Sequence, residues 1–202
     1  MEFEDRVDPG HCAVLVVDIQ NDFCHPDGYI GHKFGVDEDA NKALAARNQA
    51  LADAGRKAGA VIVWIRAIYD PEYLPPSMLV KGGSAGNEPR CFQGTWGAEL
   101  YEVTPGAGDL HIEKHRYSAF SGTSLDALLR HRAIRTTVIT GVTTNICVES
   151  TLRDAFNLGY HVVVPEDCVA ANDPELHAAT LKNVATMLGD VTSADKLMER
   201  WG

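Results

Sequence analysis

The sequence predicts an α/β protein: a single domain in which a parallel sheet lies between two layers of helices, a three-layer α/β/α sandwich. Three observations carry this. Short valine-rich apolar runs recur along the chain, as strands buried on both faces do. Segments with helical spacing and helix caps separate those runs. The 202 residues show no break in composition, so they fit one domain spanning 1–202, of a size that buries about 70% of its extended surface.

The elements follow in order. CAVLVVD (12–18) is an apolar run ending in an acid, a first buried strand. Residues 37–58 form an alanine-rich helix with Leu44, Ala45, Leu51 and Ala58 on one face, and Gly59 stops it. AVIVWIRA (60–67) is a second buried strand. The stretch 68–97 carries Pro71, Pro75, Pro76, Pro89 and several glycines and reads as a long loop. In a compact domain such a loop is a functional lid or a partner-binding excursion. LHIEK (110–114) is a short strand, and SGTSLDALLRHRA (121–133) is a helix with a hydroxyl cap. TTVITG (136–141) is a strong strand, followed by a helix over NICVESTLRDAFNLG (145–159) closed by Gly159. HVVVPED (161–167) is another strong strand. DPELHAATLKNVATMLG (173–189) starts with an aspartate cap and a proline in the first turn. DVTSADKLMERWG ends the chain with a short element. Strands alternating with helices imply right-handed βαβ units.

Composition bounds the function. Hydrophobic residues are 45% and charged residues 23%, as in an ordinary globular chain. The net charge of -10 argues against a nucleic-acid or anionic-membrane partner. No apolar run reaches the roughly 18 residues of a membrane span, and MEFEDRVDPG lacks a signal-peptide pattern, so a cytoplasmic location is expected. The cysteines, Cys12, Cys24, Cys91, Cys147 and Cys168, are odd in number and scattered. They suggest neither a disulfide framework nor a zinc site.

In parallel α/β sheets, sites lie beyond the C-terminal ends of strands. Asp18, Lys114 and Cys147 stand at or just after three such ends. Cys147 falls in the first turn of its helix, where orphan N–H groups and the dipole favour a thiolate and an oxyanion beside it. A buried structural thiol is the plainer reading. Asp18 suits a general base that takes the thiol proton and returns it to a leaving group; capping the DIQND turn is the alternative. Lys114 would hold both anions together, where a lone lysine is more often an exposed strand end. Only the three together point to a nucleophilic cysteine enzyme.

These segments resemble the isochorismatase-like cysteine hydrolase superfamily, which includes nicotinamidases, carbamoylsarcosine amidases, ureidoacrylate amidohydrolases and biuret hydrolases. The resemblance runs from LVVDIQNDF (15–23) through EKHRYSAF (113–120) to TGVTTNICVESTLRDAFNLGYHVVVPEDC (140–168). It implies that fold, described as isochorismatase-like and Rossmann-like. It maps a catalytic triad onto Asp18, Lys114 and Cys147, and a cis peptide onto Val142–Thr143. That bond would aim the Thr143 N–H, with that of Cys147, at the substrate oxygen as an oxyanion hole. It places Phe23 in the pocket.

The resemblance also implies the chemistry. True isochorismatases lack the nucleophilic thiol, so Cys147 favours a cysteine amidohydrolase that opens a C–N bond through a thioester and releases ammonia or an amine. Nicotinamidases carry an Asp-x-His metal motif where this chain has Arg66-Ala67-Ile68, so no metal and no cofactor are expected. FQGTWGAEL (92–100), KHRYSAF (114–120) and TNICVESTLRDAFNLGY (144–160) are most similar to the ureidoacrylate and biuret branch. Substrates there bear a carbamoyl or ureido group and often a carboxylate. Arg66, Arg90, Lys81 and Arg116 are candidate partners for such an anion, and Trp96 and Tyr117 candidate pocket walls. The implied partner is a small-molecule amide, and the implied assembly a homodimer or homotetramer. Two other classes remain: an isochorismatase-type or nicotinamidase-like hydrolase of another small substrate, and a non-catalytic protein on the same fold.

Overall fold

The computed structural model describes residues 2–81 and 90–202. Among the described residues seven strands form one sheet: β1 (Cys12–Val17), β2 (Val61–Ala67), β3 (Leu110–Lys114), β4 (Thr136–Val142), β5 (His161–Pro165), β6 (Val169–Ala170) and β7 (Asp190–Thr192). Their order is β3-β2-β1-β4-β5-β7, with β6 paired to the end of β4, and every ladder between named strands is parallel. The helices are α1 (Phe3–Arg6), α2 (Asn21–Cys24), α3 (Tyr29–Phe34), α4 (Glu38–Ala58), α5 (Pro76–Lys81), α6 (Leu125–His131), α7 (Glu149–Asn157), α8 (Pro174–Asn183) and α9 (Ala194–Trp201).

Side chains alternate across a strand, so β1 serves two cores. Cys12, Val14 and Val16 face Leu44, Ala45, Leu51 and Ala52 of α4 and Leu197 and Trp201 of α9. Ala13, Leu15 and Val17 face Leu125 and Leu129 of α6 and Leu152 and Ala155 of α7. All six strand residues are buried, as a central strand covered on both faces requires. The single-domain three-layer expectation therefore holds. Ala58 is only partly buried, at the C-terminal end of the apolar face of α4. That helix starts at an Asp37 cap accepting from Ala40 N at 3.0 Å and stops at Gly59, φ +96°.

Several elements differ from the sequence reading. Cys147 does not lie in an α-turn: Thr144–Val148 form a π-helical segment that runs on into α7. The 121–133 helix shortens to Leu125–His131, and its Ser124 cap makes no side-chain hydrogen bond. The chain end contains a strand, β7, as well as a helix. The 68–97 stretch is less loop-like than its prolines suggest. Pro71–Tyr73 and Trp96–Ala98 are 3-10 turns, α5 follows Pro75, and Ile68, Tyr69, Leu74, Met78, Cys91 and Ala98 bury a small third core. Pro89 and the middle of the expected lid lie outside the described residues, as does the Lys81 side chain. All five cysteines are free and buried. Among the described residues no helix is long and apolar enough to cross a membrane.

Candidate active site

The site forms where β1, β2, β3 and β4 end together. Val17 of β1 pairs with Ile65 on one side and Gly141 on the other, and Ala67 pairs with Lys114. Asp18 sits one residue beyond β1. Its N–H still donates to Ile65 O at 2.9 Å, but its φ of +53° turns the chain out of the strand. Aspartate tolerates this left-handed region better than most residues. Gly141 has φ +100°, and a Cβ there would overlap the Val17 carbonyl oxygen, so β4 can lie against the end of β1 only with glycine. The next peptide but one, Val142–Thr143, is cis.

Lys114 comes from β3, two strands away from Asp18, a gap of two spacings of about 4.8 Å each. Its stem crosses the end of β2, where Ala67 is small. The ammonium ends 2.8 Å from Asp18 Oδ2, 3.4 Å from Cys147 Sγ and 3.1 Å from Arg116 O. Asp18 and Lys114 are both completely buried. The contact is mainly electrostatic, since neither Asp18 oxygen has a well-aligned hydrogen-bond donor among the described residues. Thus the three predicted residues meet around one ammonium. Cys147 itself is only 5% exposed, yet it lines a cavity of about 430 Å³ together with Phe23, Tyr29, Tyr69, Arg90, Tyr117 and Thr143. A small molecule can therefore reach the sulfur.

The isochorismatase domain family matches residues 12–196, nearly the whole chain. The chain belongs to the isochorismatase family. Solved structures agree. A cysteine hydrolase from Pseudomonas syringae pv. phaseolicola 1448A superposes with a TM-score of 0.84 at 26% identity, over 97% of this chain and 94% of that one. N-carbamoylsarcosine amidase from Thermoplasma acidophilum gives 0.74 at 31% identity, over 91% and 96%. Nicotinamidase from Bacillus subtilis gives 0.77 at 27% identity, over 91% and 99%.

Electrostatics in this isochorismatase-family hydrolase correct one expectation. The thiol is not poised as a thiolate. Burial pushes Cys147 up to about 12; Lys114 pulls it down and the Asp18 carboxylate adds to the rise. Desolvation of a sulfur closed off on most sides outweighs the Lys114 charge and the Tyr69 hydroxyl beside it. Asp18 is likewise raised by burial, with Lys114 opposing. Lys114 keeps its proton: burial works against the charge, but Asp18 and Cys147 outweigh it. Burial thus raises both Asp18 and Cys147, and the Lys114 ammonium opposes it at each.

The other predicted residues divide. Phe23 and Tyr117 line the cavity. Among the described residues its wall does not include Arg66 or Trp96. Arg66 is tied to Glu113 on the neighbouring strand at 2.7 Å. Trp96 is 46% exposed and packs edge-on against His25 with centroids 4.9 Å apart. Arg116 turns its Nη1 to Tyr73 O at 2.6 Å and His115 O at 2.7 Å. Of the candidate cations whose side chains are described, Arg66, Arg90 and Arg116, Arg90 is the one on the cavity wall. It stacks between the rings of Tyr29 and Tyr69, 5.5 and 5.3 Å from their centroids, and its buried Nη2 has no hydrogen-bond partner among the described residues. Asp22 holds the loop that presents it, accepting from Cys91 N at 2.5 Å and Tyr29 N at 3.1 Å. Sequence reasoning missed Tyr69, whose hydroxyl is 3.8 Å from Cys147 Sγ. Its one signal was a tyrosine two residues past a strand that ends at the site. Among the described residues no three His, Cys, Asp or Glu side chains gather as metal ligands.

Proposed function

We propose that this chain is a cysteine amidohydrolase that opens a C–N bond of a small amide, ureido or carbamoyl compound. One observation carries the reading: a single buried ammonium touches both a carboxylate and a thiol at the wall of a cavity. Asp18 takes the Cys147 proton as the sulfur attacks the substrate carbonyl carbon. The N–H groups of Thr143 and Cys147 hold the resulting oxyanion. The C–N bond then breaks, protonated Asp18 gives its proton to the departing nitrogen, and a thioester remains on Cys147. Water adds to that thioester with Asp18 taking its proton. The C–S bond breaks, and the proton returns to sulfur as the acid leaves. Lys114 remains charged throughout and offsets the negative charge that moves between oxygen and sulfur.

Two of the similar structures are amidases by name, N-carbamoylsarcosine amidase and nicotinamidase, which supports amide over ether chemistry. The Nη2 of Arg90, without a hydrogen-bond partner among the described residues, supports a substrate with an acidic group beyond the scissile bond, because guanidinium forks onto carboxylate. The test is ammonia release from a panel of small amides and ureido acids, each neutral member matched to an acidic one, followed by mass spectrometry. Turnover is expected to fall by at least about a thousandfold in Cys147→Ser and Cys147→Ala, the scale of losing a nucleophile. Near-normal ammonia release by either variant would overturn the covalent mechanism.

A further inference from the structure

We propose that Tyr69 is a second hydrogen-bond donor, beside Lys114, that holds the Cys147 sulfur while its proton passes to Asp18. This rests on Cys147 being the nucleophile and adds a second uncharged group to the trio. Tyr69 follows β2 with its N–H donating to Cys91 O at 3.1 Å, and it is 3% exposed. Its hydroxyl oxygen accepts from Lys114 Nζ at 3.3 Å and stands 3.8 Å from Cys147 Sγ, within hydrogen-bonding range for sulfur.

The proton count assigns the direction. A phenol has one proton, and Lys114 already occupies an acceptor position on its oxygen. While sulfur keeps its proton, either group can donate along the S···O contact. Once Asp18 has taken that proton, sulfur can only accept, and the phenol proton is the one available on that line. A hydrogen bond to an anion is about twice as strong as a neutral one, so the contact strengthens as the reaction proceeds. Tyr69 keeps its proton meanwhile: burial, then the nearby Cys147 and Asp18, push its ionisation well above the ordinary tyrosine value. The ring is fixed for the task, with Arg90 stacked on it at 5.3 Å and Lys114 Nζ 5.5 Å from its centroid. Among the described residues, the charged groups facing this corner are Asp18 after β1, Lys114 on β3, and Arg90 and Lys33 on the cavity wall, and the buried Cys91 thiol is a further titratable neighbour.

The experiment is the rate of Cys147 alkylation by iodoacetamide from pH 7 to 9 in the full chain, with the adduct located by peptide mass spectrometry. Iodoacetamide needs only the sulfur, so the measurement is independent of the amide substrate. Tyr69→Phe is expected to slow alkylation about tenfold at a given pH and to displace the rate profile upward by about one unit, the effect of losing one charge-assisted hydrogen bond. A packing role alone would lower thermal stability and leave the profile in place. An unshifted profile overturns the proposal. Should Tyr69→Phe not fold, 3-fluorotyrosine at position 69 keeps ring and hydroxyl and makes the phenol a stronger donor. The profile should then move downward, and no movement overturns the proposal equally. Failure of the amidohydrolase reading is recognised separately, by ammonia release that persists in Cys147→Ser.

Discussion

At residue scale the site is a problem of where one proton rests. Asp18 and Lys114 are completely buried and Cys147 is nearly so, and burial penalises every charge there. The ion pair survives because its two charges are 2.8 Å apart, and the thiol stays neutral because a third charge would go unpaired. The consequence is a pH dependence with a definite sign. Asp18 acts as a base only when ionised, and burial raises its pKa. We therefore expect kcat/KM to fall on the acid side at a pH above the ordinary aspartate range, since the base is lost as pH drops through the raised value. Asp18→Asn should remove that limb along with about 10²–10⁴-fold of activity. An acid limb retained in Asp18→Asn would assign it to another group. The three residues were legible because each follows a strand whose pattern is unmistakable. Tyr69 and Arg90 were not legible as a pair. Their positions depend on how 68–98 folds back on itself, through contacts such as Gln20 to Ala67 O and Ala98 O at 3.0 and 2.9 Å.

At the scale of elements, the four strand ends at the site depend on Gly141. It faces Val17, the residue before Asp18, and a methyl group there meets backbone that cannot yield cheaply. Gly141→Ala should destabilise the fold by about 3 kcal/mol, the scale of forcing a side chain into a left-handed, overpacked position. It should also lower turnover in the molecules that remain folded, measured by urea titration and by specific activity. An alanine variant with wild-type stability would mean that β4 can move away from β1. The strong strands β1, β2, β4 and β5 were legible as apolar runs. β6 and β7 were not, because two or three residues carry no periodicity. The π segment was hidden too. Thr144–Val148 carries no residue that marks a π-turn, and its geometry follows from sharing the Thr143 carbonyl, which accepts from Ile146 N at 3.1 Å and Val148 N at 3.2 Å.

At the scale of the whole molecule, the two main cores hang on the same strands. Neighbouring residues of β1 point into opposite layers, so neither layer can melt and leave the other its partner. Urea unfolding should therefore give one transition, with far-UV circular dichroism and the fluorescence of buried Trp64 changing together. Two separated midpoints would show that the layers are independent units. The domain class was legible because this two-sided burial writes continuous apolar runs into the sequence. The same enclosure governs how the protein ages. Peroxide attacks ionised sulfur far faster than the protonated form. A thiol held near 12 by its surroundings spends almost all of its idle time in the form that oxidants attack slowly, and becomes vulnerable only in the moments when it is at work.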